Sequence, residues 1–195
     1  MYCSVTGIRL SSTKLSISEH LLTGARFLAS PNCSEREDPR DISLLVIHNI
    51  SLPPGQFATG CIDQLFTNCL DPTEHPFFET IVDLRVSSHL LIDRHGEMTQ
   101  YVPFHIKAWH AGESCYEERS NCNEFSIGIE LEGTDDSEFT DAQYESLVQV
   151  TRLLLGEYQG LTPERIVGHS DIAPGRKTDP GPCFDWDRYR SGIGK

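Results

Sequence analysis

The chain lacks the features that mark several large classes of protein. No apolar run is long enough to span a bilayer. The first residues, Met1-Tyr2-Cys3-Ser4-Val5-Thr6-Gly7, carry no apolar core of signal-peptide length, so the cytoplasm is the expected compartment. Positive charge is scarce: 16 Lys and Arg stand against 29 Asp and Glu, a formal net charge of -13. That balance argues against a nucleic-acid surface or an anionic membrane as partner. No Cys-x-x-Cys is present, which argues against a structural zinc knuckle. The seven cysteines are odd in number and irregular in spacing, unlike a secreted disulfide framework. They are expected to be free thiols, with a lone catalytic cysteine as an open alternative. Internal repeats and low-complexity tracts are absent.

What is present fits one globular domain of 195 residues with 38% hydrophobic content. Residues 1–19 are polar and serine-rich and read as a mobile N-terminal extension; the domain proper is expected over 20–195. Leu21 to Leu28 is a candidate first packed segment, and Ser34 to Asp41 a charged loop. Leu44-Leu45-Val46-Ile47 is a continuous apolar run, as in a strand buried on both faces, and it ends in His48-Asn49. Sheets of this kind place ligand groups at strand ends, although a hydrogen-bonded core histidine reads the same way. Ile62, Leu65, Phe66 and Cys69 follow helical spacing, and Phe77 to Val82 can form a further helical turn. Ser88–Ile92 and Met98–Val102 flank the turn Asp93-Arg94-His95-Gly96-Glu97 and read as a β-hairpin.

Ala108-Trp109-His110-Ala111-Gly112 can be a pocket wall or a packed corner. Ser126 to Gly133 alternates, with Ile127, Ile129 and Leu131 on one side and Ser126, Gly128, Glu130 and Glu132 on the other. Glu130 is then either solvated or aimed into a site where its pKa matters. Thr140-Asp141-Ala142-Gln143 is a capping box, and Tyr144, Leu147, Val148, Thr151, Leu154 and Leu155 continue it as an amphipathic helix ending near Gly156.

Arg165-Ile166-Val167 leads into Gly168-His169-Ser170-Asp171-Ile172-Ala173-Pro174-Gly175-Arg176-Lys177-Thr178-Asp179-Pro180-Gly181-Pro182. Its glycines and prolines predict turns and no helix. It is either a solvated surface loop or a site. His48, His169 and Asp179 offer two imidazoles and a carboxylate, a donor set that suits catalytic zinc with a fourth position for water. Spacing alone does not establish it, because His48 and His169 lie far apart with no local motif.

His48-Asn49, Ala108–Gly112, Ser126–Gly133 and Gly168–Pro182 resemble the zinc-dependent N-acetylmuramoyl-L-alanine amidases, in particular the cytoplasmic branch that cleaves 1,6-anhydro-muropeptides. The resemblance runs from about His20 to Tyr189. It implies an α/β fold with a central mixed β-sheet flanked by α-helices, like that of the peptidoglycan-recognition proteins. It implies Zn2+ on His48, His169 and Asp179, Glu130 as general base and Lys177 as oxyanion stabiliser. It places Asn49, Arg85, Trp109 and Tyr116 along a groove for a small-molecule muropeptide, with no nucleic acid or membrane as partner. A monomer is the expected state. That branch carries an Arg just before the cysteine matching Cys122, where this chain has Asn121; Arg119 stands close by as a substitute. Relatives acting on intact peptidoglycan typically show Tyr-His where this chain has Ser88-His89, and often a Cys in place of Asp179. An amidase of intact wall and a non-catalytic muropeptide-binding module are the alternatives, and the complete set of metal and catalytic positions disfavours the second.

Overall fold

The computed structural model describes residues 15–194. In chain order its elements are β1 (Ser16–Ser18), β2 (Leu21–Thr23), β3 (Arg26–Phe27), β4 (Cys33–Ser34), β5 (Leu44–Ile50), α1 (Cys61–Phe66), α2 (Pro76–Glu79), β6 (Leu90–Ile92) and β7 (Met98–Gln100). They continue with β8 (Lys107–Ala108), β9 (Cys115–Tyr116), β10 (Arg119–Ser120), β11 (Ser126–Glu132), α3 (Asp141–Glu157), β12 (Ile166–Gly168), α4 (His169–Ile172) and α5 (Trp186–Ile193). Six strands form one mixed sheet in the order β12-β5-β11-β6-β7-β3. The pairs β12–β5, β5–β11 and β11–β6 are parallel. The expected hairpin supplies the antiparallel pair β6–β7.

Central parallel strands are covered on both sides, so their sequences must be apolar on both faces near the middle. Leu44 to His48 are all buried, and so is every residue of β11. Alternation divides them. Leu45, Ile47, Ile127, Ile129 and Leu131 pack with Leu147, Val150 and Leu154 of α3 and with Tyr189 of α5. Leu44 and Val46 face the other way, against Ala111, Cys122, Phe125 and Ile172 of α4. Beside them α1, α2 and Leu91 build an apolar cluster around Phe66, Phe78 and Tyr101. One face of the sheet is thus closed by the long helix; the other carries shorter pieces with a cleft between them.

Two expectations are corrected. The serine-rich run is structured from Leu15 onward: β1 pairs antiparallel with β2, and Leu15 and Ile17 pack against the main core. Ser16-Ile17-Ser18 is itself a polar-apolar-polar alternation, which the surrounding serines obscured. The remainder of the expected extension, residues 1–14, lies outside the described residues. The loop after β12, read as free of helix, opens with the single helical turn α4. Its breakers start only at Pro174, and the Asp171 carboxylate accepts from the Gly168 N–H at 2.7 Å to cap the turn.

The six cysteines among the described residues are free thiols. The capping box of α3 forms as expected: Thr140 Oγ1 accepts from the Gln143 N–H at 3.1 Å, and Gln143 Oε1 accepts from the Thr140 N–H at 3.0 Å. Gln143 is fully buried and does more than cap, since its Nε2 donates to the Glu132 and Ile92 carbonyls at 2.9 and 3.3 Å. It ties the helix start to the ends of β11 and β6. Thr140→Ala is expected to cost about 1 kcal/mol. Gln143→Ala is expected to cost more, because it also strips two buried carbonyls of a donor. Urea denaturation of both variants checks this; equal losses would show that the ties to the sheet contribute nothing.

Candidate metal centre and catalytic cleft

Register places the first two groups. In the parallel β5–β11 pair Glu130 lies opposite His48, so both side chains leave the same face of adjacent strands. That face is the one away from α3, because Ile47, Ile129 and Leu131 on either side belong to the α3 core. On the other flank of β5, Gly168 is registered with Ile47. The chain turns into α4 at the next residue, which sets His169 beside His48. Asp179 returns to the same point because its carbonyl accepts from the Ser170 N–H at 2.9 Å.

The three side chains converge. His48 Nδ1 lies 3.0 Å from His169 Nδ1, and each lies 3.1 Å from Asp179 Oδ2. His48 and His169 are buried and Asp179 nearly so. The outer nitrogens decide what the inner ones are. His169 Nε2 faces the Ala111 carbonyl at 3.1 Å and must donate to it. In the neutral ring, Nδ1 then presents a lone pair to a carboxylate oxygen that also has no proton. Two acceptors at that distance repel, and a cation between them removes the conflict. The set of two imidazole nitrogens and one carboxylate oxygen fits a metal of the zinc type.

Electrostatics agree with a neutral His48 beside an ionised carboxylate. Burial lowers His48 to about 4, with the hydrogen bond that Asp179 accepts opposing. Burial also lowers His110 well below the usual histidine value, helped by the neighbouring His48 and His89. Burial alone would raise Asp179; the His169 and His48 rings that face it outweigh that and hold it below the usual carboxylate range.

Glu130 is buried and not solvated, which closes one of the two expectations for it. Burial first, then the Asp179 charge, raises it well above the ordinary glutamate value, while the Lys177 cation pulls the other way. Its Oε2 is buried without a hydrogen-bond partner, an arrangement that costs free energy unless something else fills the cleft. Glu132, two residues on, is engaged: its carboxylate accepts from the Ala58 N–H at 2.6 Å and the Arg94 N–H at 3.4 Å.

A cleft of about 410 Å³ opens from these groups. His48, Asn49, His110, Glu130, His169, Lys177 and Asp179 line its polar end; Ile50, Leu52, Leu65, Phe66, Phe77, Ile81 and Leu84 line the apolar end. The candidate groove residues fare unequally. Asn49 lines the cleft, and its Nδ2 donates to Asp135 Oδ1 at 2.7 Å and to the Pro180 carbonyl at 3.1 Å. Arg85 is exposed and donates to the Val82 and Leu84 carbonyls, off the cleft wall. Trp109 donates to Ser34 Oγ, and Tyr116 lies under the Arg165 guanidinium; neither lines the cleft. Arg119 is held by Asp41 at 2.5 Å and stacks on Phe125, so it does not reach the cleft to stand in for Asn121. His110 and the apolar wall were not assigned from sequence. The motif around His110 was conspicuous but ambiguous, and the wall is assembled from segments with no shared local pattern.

Over residues 38–182 the chain matches the family described as N-acetylmuramoyl-L-alanine amidase. It is 53% identical over 177 residues to the 1,6-anhydro-N-acetylmuramyl-L-alanine amidase AmpD of Haemophilus influenzae, covering 91% of this chain and 96% of that protein. A crystal structure of a selenomethionine AmpD derivative matches with a TM-score of 0.89 at 54% identity, covering 91% of this chain and 98% of that one. The Escherichia coli amidase AmiD in complex with anhydro-N-acetylmuramic acid-L-Ala-D-γ-Glu-L-Lys matches with a TM-score of 0.57 at 30% identity, covering 91% of this chain and 65% of that one.

The two buried glutamates of β11 make a direct test. Glu132→Ala strips acceptors from the Ala58 and Arg94 amides, and hydrogen bonds to a charged group are worth ~1.5 to 3 kcal/mol each way. It is expected to lower the urea midpoint clearly. Glu130→Ala removes an unpartnered buried carboxylate and is expected to leave stability unchanged or raised. The reverse order would mean that Glu130 serves the fold and not the cleft.

Proposed function

The chain belongs to the N-acetylmuramoyl-L-alanine amidase family, and from that premise we propose that it hydrolyses the amide between 1,6-anhydro-N-acetylmuramic acid and L-alanine in muropeptides, with Zn2+ held by His48, His169 and Asp179. The observation that carries the reading is the buried, unpartnered Glu130 Oε2 registered across from His48 at the head of the cleft. When bound, zinc supplies Lewis acidity, polarising the scissile carbonyl and bringing the pKa of water towards ~7.

The chain's own groups supply the rest. Glu130 takes a proton from the attacking water, and its raised pKa makes it a stronger base than a solvated glutamate. The same carboxyl then delivers that proton to the departing nitrogen of L-alanine. Lys177 is exposed at the rim of the cleft, where its ammonium meets the charge that develops on the carbonyl oxygen. Asn49 is anchored through its Nδ2, which leaves its Oδ1 to accept from substrate. Arg85, Trp109 and Tyr116 stay proposed contacts for the sugar and peptide, and they meet substrate only by moving from their present partners.

The substrate class rests on the named activity of the AmpD relative and on the muropeptide bound to AmiD. Similarity over nine-tenths of the chain to AmpD, named for the 1,6-anhydro sugar, also supports work on turnover fragments rather than on intact wall, and we place that work in the cytoplasm. Among the described residues no helix is long and apolar enough to cross a membrane. Purified protein should release L-alanyl peptide from anhydro-muropeptide far faster than from intact sacculi; the opposite preference would make it a wall amidase. A muropeptide-binding module would release nothing from either.

Mutagenesis should separate ligands from catalytic groups. His169→Ala is expected to lose bound zinc and activity together. Glu130→Ala should keep one zinc per chain and lose ~10² to 10⁴-fold in turnover. Lys177→Ala should keep its zinc and lose ~10² to 10³-fold in kcat with a smaller change in KM. Elemental analysis beside steady-state kinetics checks all three. Stoichiometric zinc in the His169→Ala protein, or normal turnover in the Glu130→Ala protein, would overturn the assignment.

A further inference from the structure

The two imidazoles of the metal triangle are oriented by different means. The outer nitrogen of His169 faces the Ala111 carbonyl, which can only accept, so its proton is fixed on Nε2. His48 has no such carbonyl. Its Nε2 lies 2.9 Å from Nδ1 of His110, an atom able to donate or accept. Nε2 of His110 lies in turn 3.1 Å from Ser126 Oγ, a hydroxyl with the same freedom. The row Ser126–His110–His48 therefore has two consistent proton settings. In one, His48 Nε2–H donates to His110, His110 Nε2–H donates to Ser126, and the His48 Nδ1 lone pair points into the triangle. In the other every donor is reversed, and a His48 Nδ1–H points at Asp179.

We propose that His110 is a positioning residue of the metal centre: by accepting from His48 Nε2–H it turns the His48 Nδ1 lone pair towards the metal. The inference rests on the zinc reading and deepens it. The protein spends several features on this one ring. A Cβ at position 128 would lie 2.5 Å from His110 Cγ and Nδ1, so only glycine gives the ring its seat. Gly128 itself is clamped, its N–H donating to His89 Nδ1 and its carbonyl accepting from the His89 N–H, both at 3.0 Å. Asn123 Oδ1 accepts from the His110 and Ala111 N–H groups at 3.1 and 2.8 Å, fixing the backbone beneath the ring. Edge-on packing at 86° to the His48 ring holds the approach angle. Because the row can run either way, metal uptake needs a change of proton positions and no movement of side chains.

The test uses the whole chain and zinc alone. His110→Leu keeps the bulk and removes the acceptor; it is expected to raise the zinc dissociation constant ~10 to 100-fold in a chelator competition. His110→Asn restores an acceptor oxygen near the Nδ1 position and should recover most of that loss. Gly128→Ala leaves the imidazole intact and displaces it, so it should match His110→Leu and guards against a folding defect in either variant. In zinc-loaded wild type with 15N-labelled histidine, His48 should show a slowly exchanging Nε2–H, lost in His110→Leu. Folded His110→Leu protein that binds zinc within twofold of wild type, or His110→Asn as weak as His110→Leu, overturns the proposal. Wild type that takes up no zinc overturns the metal reading itself, an outcome distinct from a normal His110→Leu.

Discussion

Three electron-rich atoms, His48 Nδ1, His169 Nδ1 and Asp179 Oδ2, are held 3.0 to 3.1 Å apart in a largely buried site. At least one pair in that triangle meets lone pair to lone pair, a repulsion that low local polarity strengthens. A flexible loop would relieve it by moving apart. Here each corner is tied down from behind. His48 sits in a strand paired on both sides, and His169 opens a helical turn and is anchored to the Ala111 carbonyl. Asp179 is anchored through its own carbonyl, while Asn49 grips the next one, that of Pro180. The free energy of the surrounding fold sustains the arrangement, which is what a preorganised cation site requires.

The same reasoning separates the two glutamates of β11. They share a face, and a two-residue step along a strand is roughly 6 to 7 Å. Glu132 answers backbone donors from two loops and so belongs to the scaffold. Glu130 answers none with its Oε2 and faces the cleft. A buried acceptor left unpaired is a liability to stability, and its place opposite His48 in the cleft supports the chemical role proposed for it.

Local pattern carried much of this from the chain itself. The capping box at Thr140, the apolar run before His48 and the hairpin around Gly96 are contiguous signals, and all three form. The donor types at 48, 169 and 179 were visible as chemistry, but their meeting depends on strand order β12-β5-β11, which no local spacing encodes. Register likewise decides whether Glu130 faces His48 or solvent, since a one-residue slip inverts the face. The groove residues were least legible. Arg85, Trp109 and Arg119 have long side chains whose rotamers choose among several neighbours, and here they choose Val82, Ser34 and Asp41. His110 was conspicuous between small residues, yet its role depends on the glycine at 128, which is remote in sequence and in contact only once the sheet forms.

Charge supplies the last step. The protein carries a formal -13, and many of the described basic side chains are committed, among them Arg26, Lys107, Arg119, Arg165 and Arg188 to carboxylates, and Arg36 and Arg176 to carbonyls. Lys177 stands at the cleft with no such partner among the described residues, so its field acts on the cleft itself. Glu130 feels two opposed influences there: burial with the Asp179 charge makes the carboxyl hold its proton, and Lys177 favours releasing it. A general base needs both, a high intrinsic affinity for the proton it will take and an empty site to take it with. Burial sets the affinity. Cations empty the site: Lys177 does so from the rim, and in the proposed reading the dication that His48, His169 and Asp179 would hold does so too. In the proposed reading a dication held by His48, His169 and Asp179 would favour the ionised form of Glu130, so the same triangle would also tune Glu130 as a base.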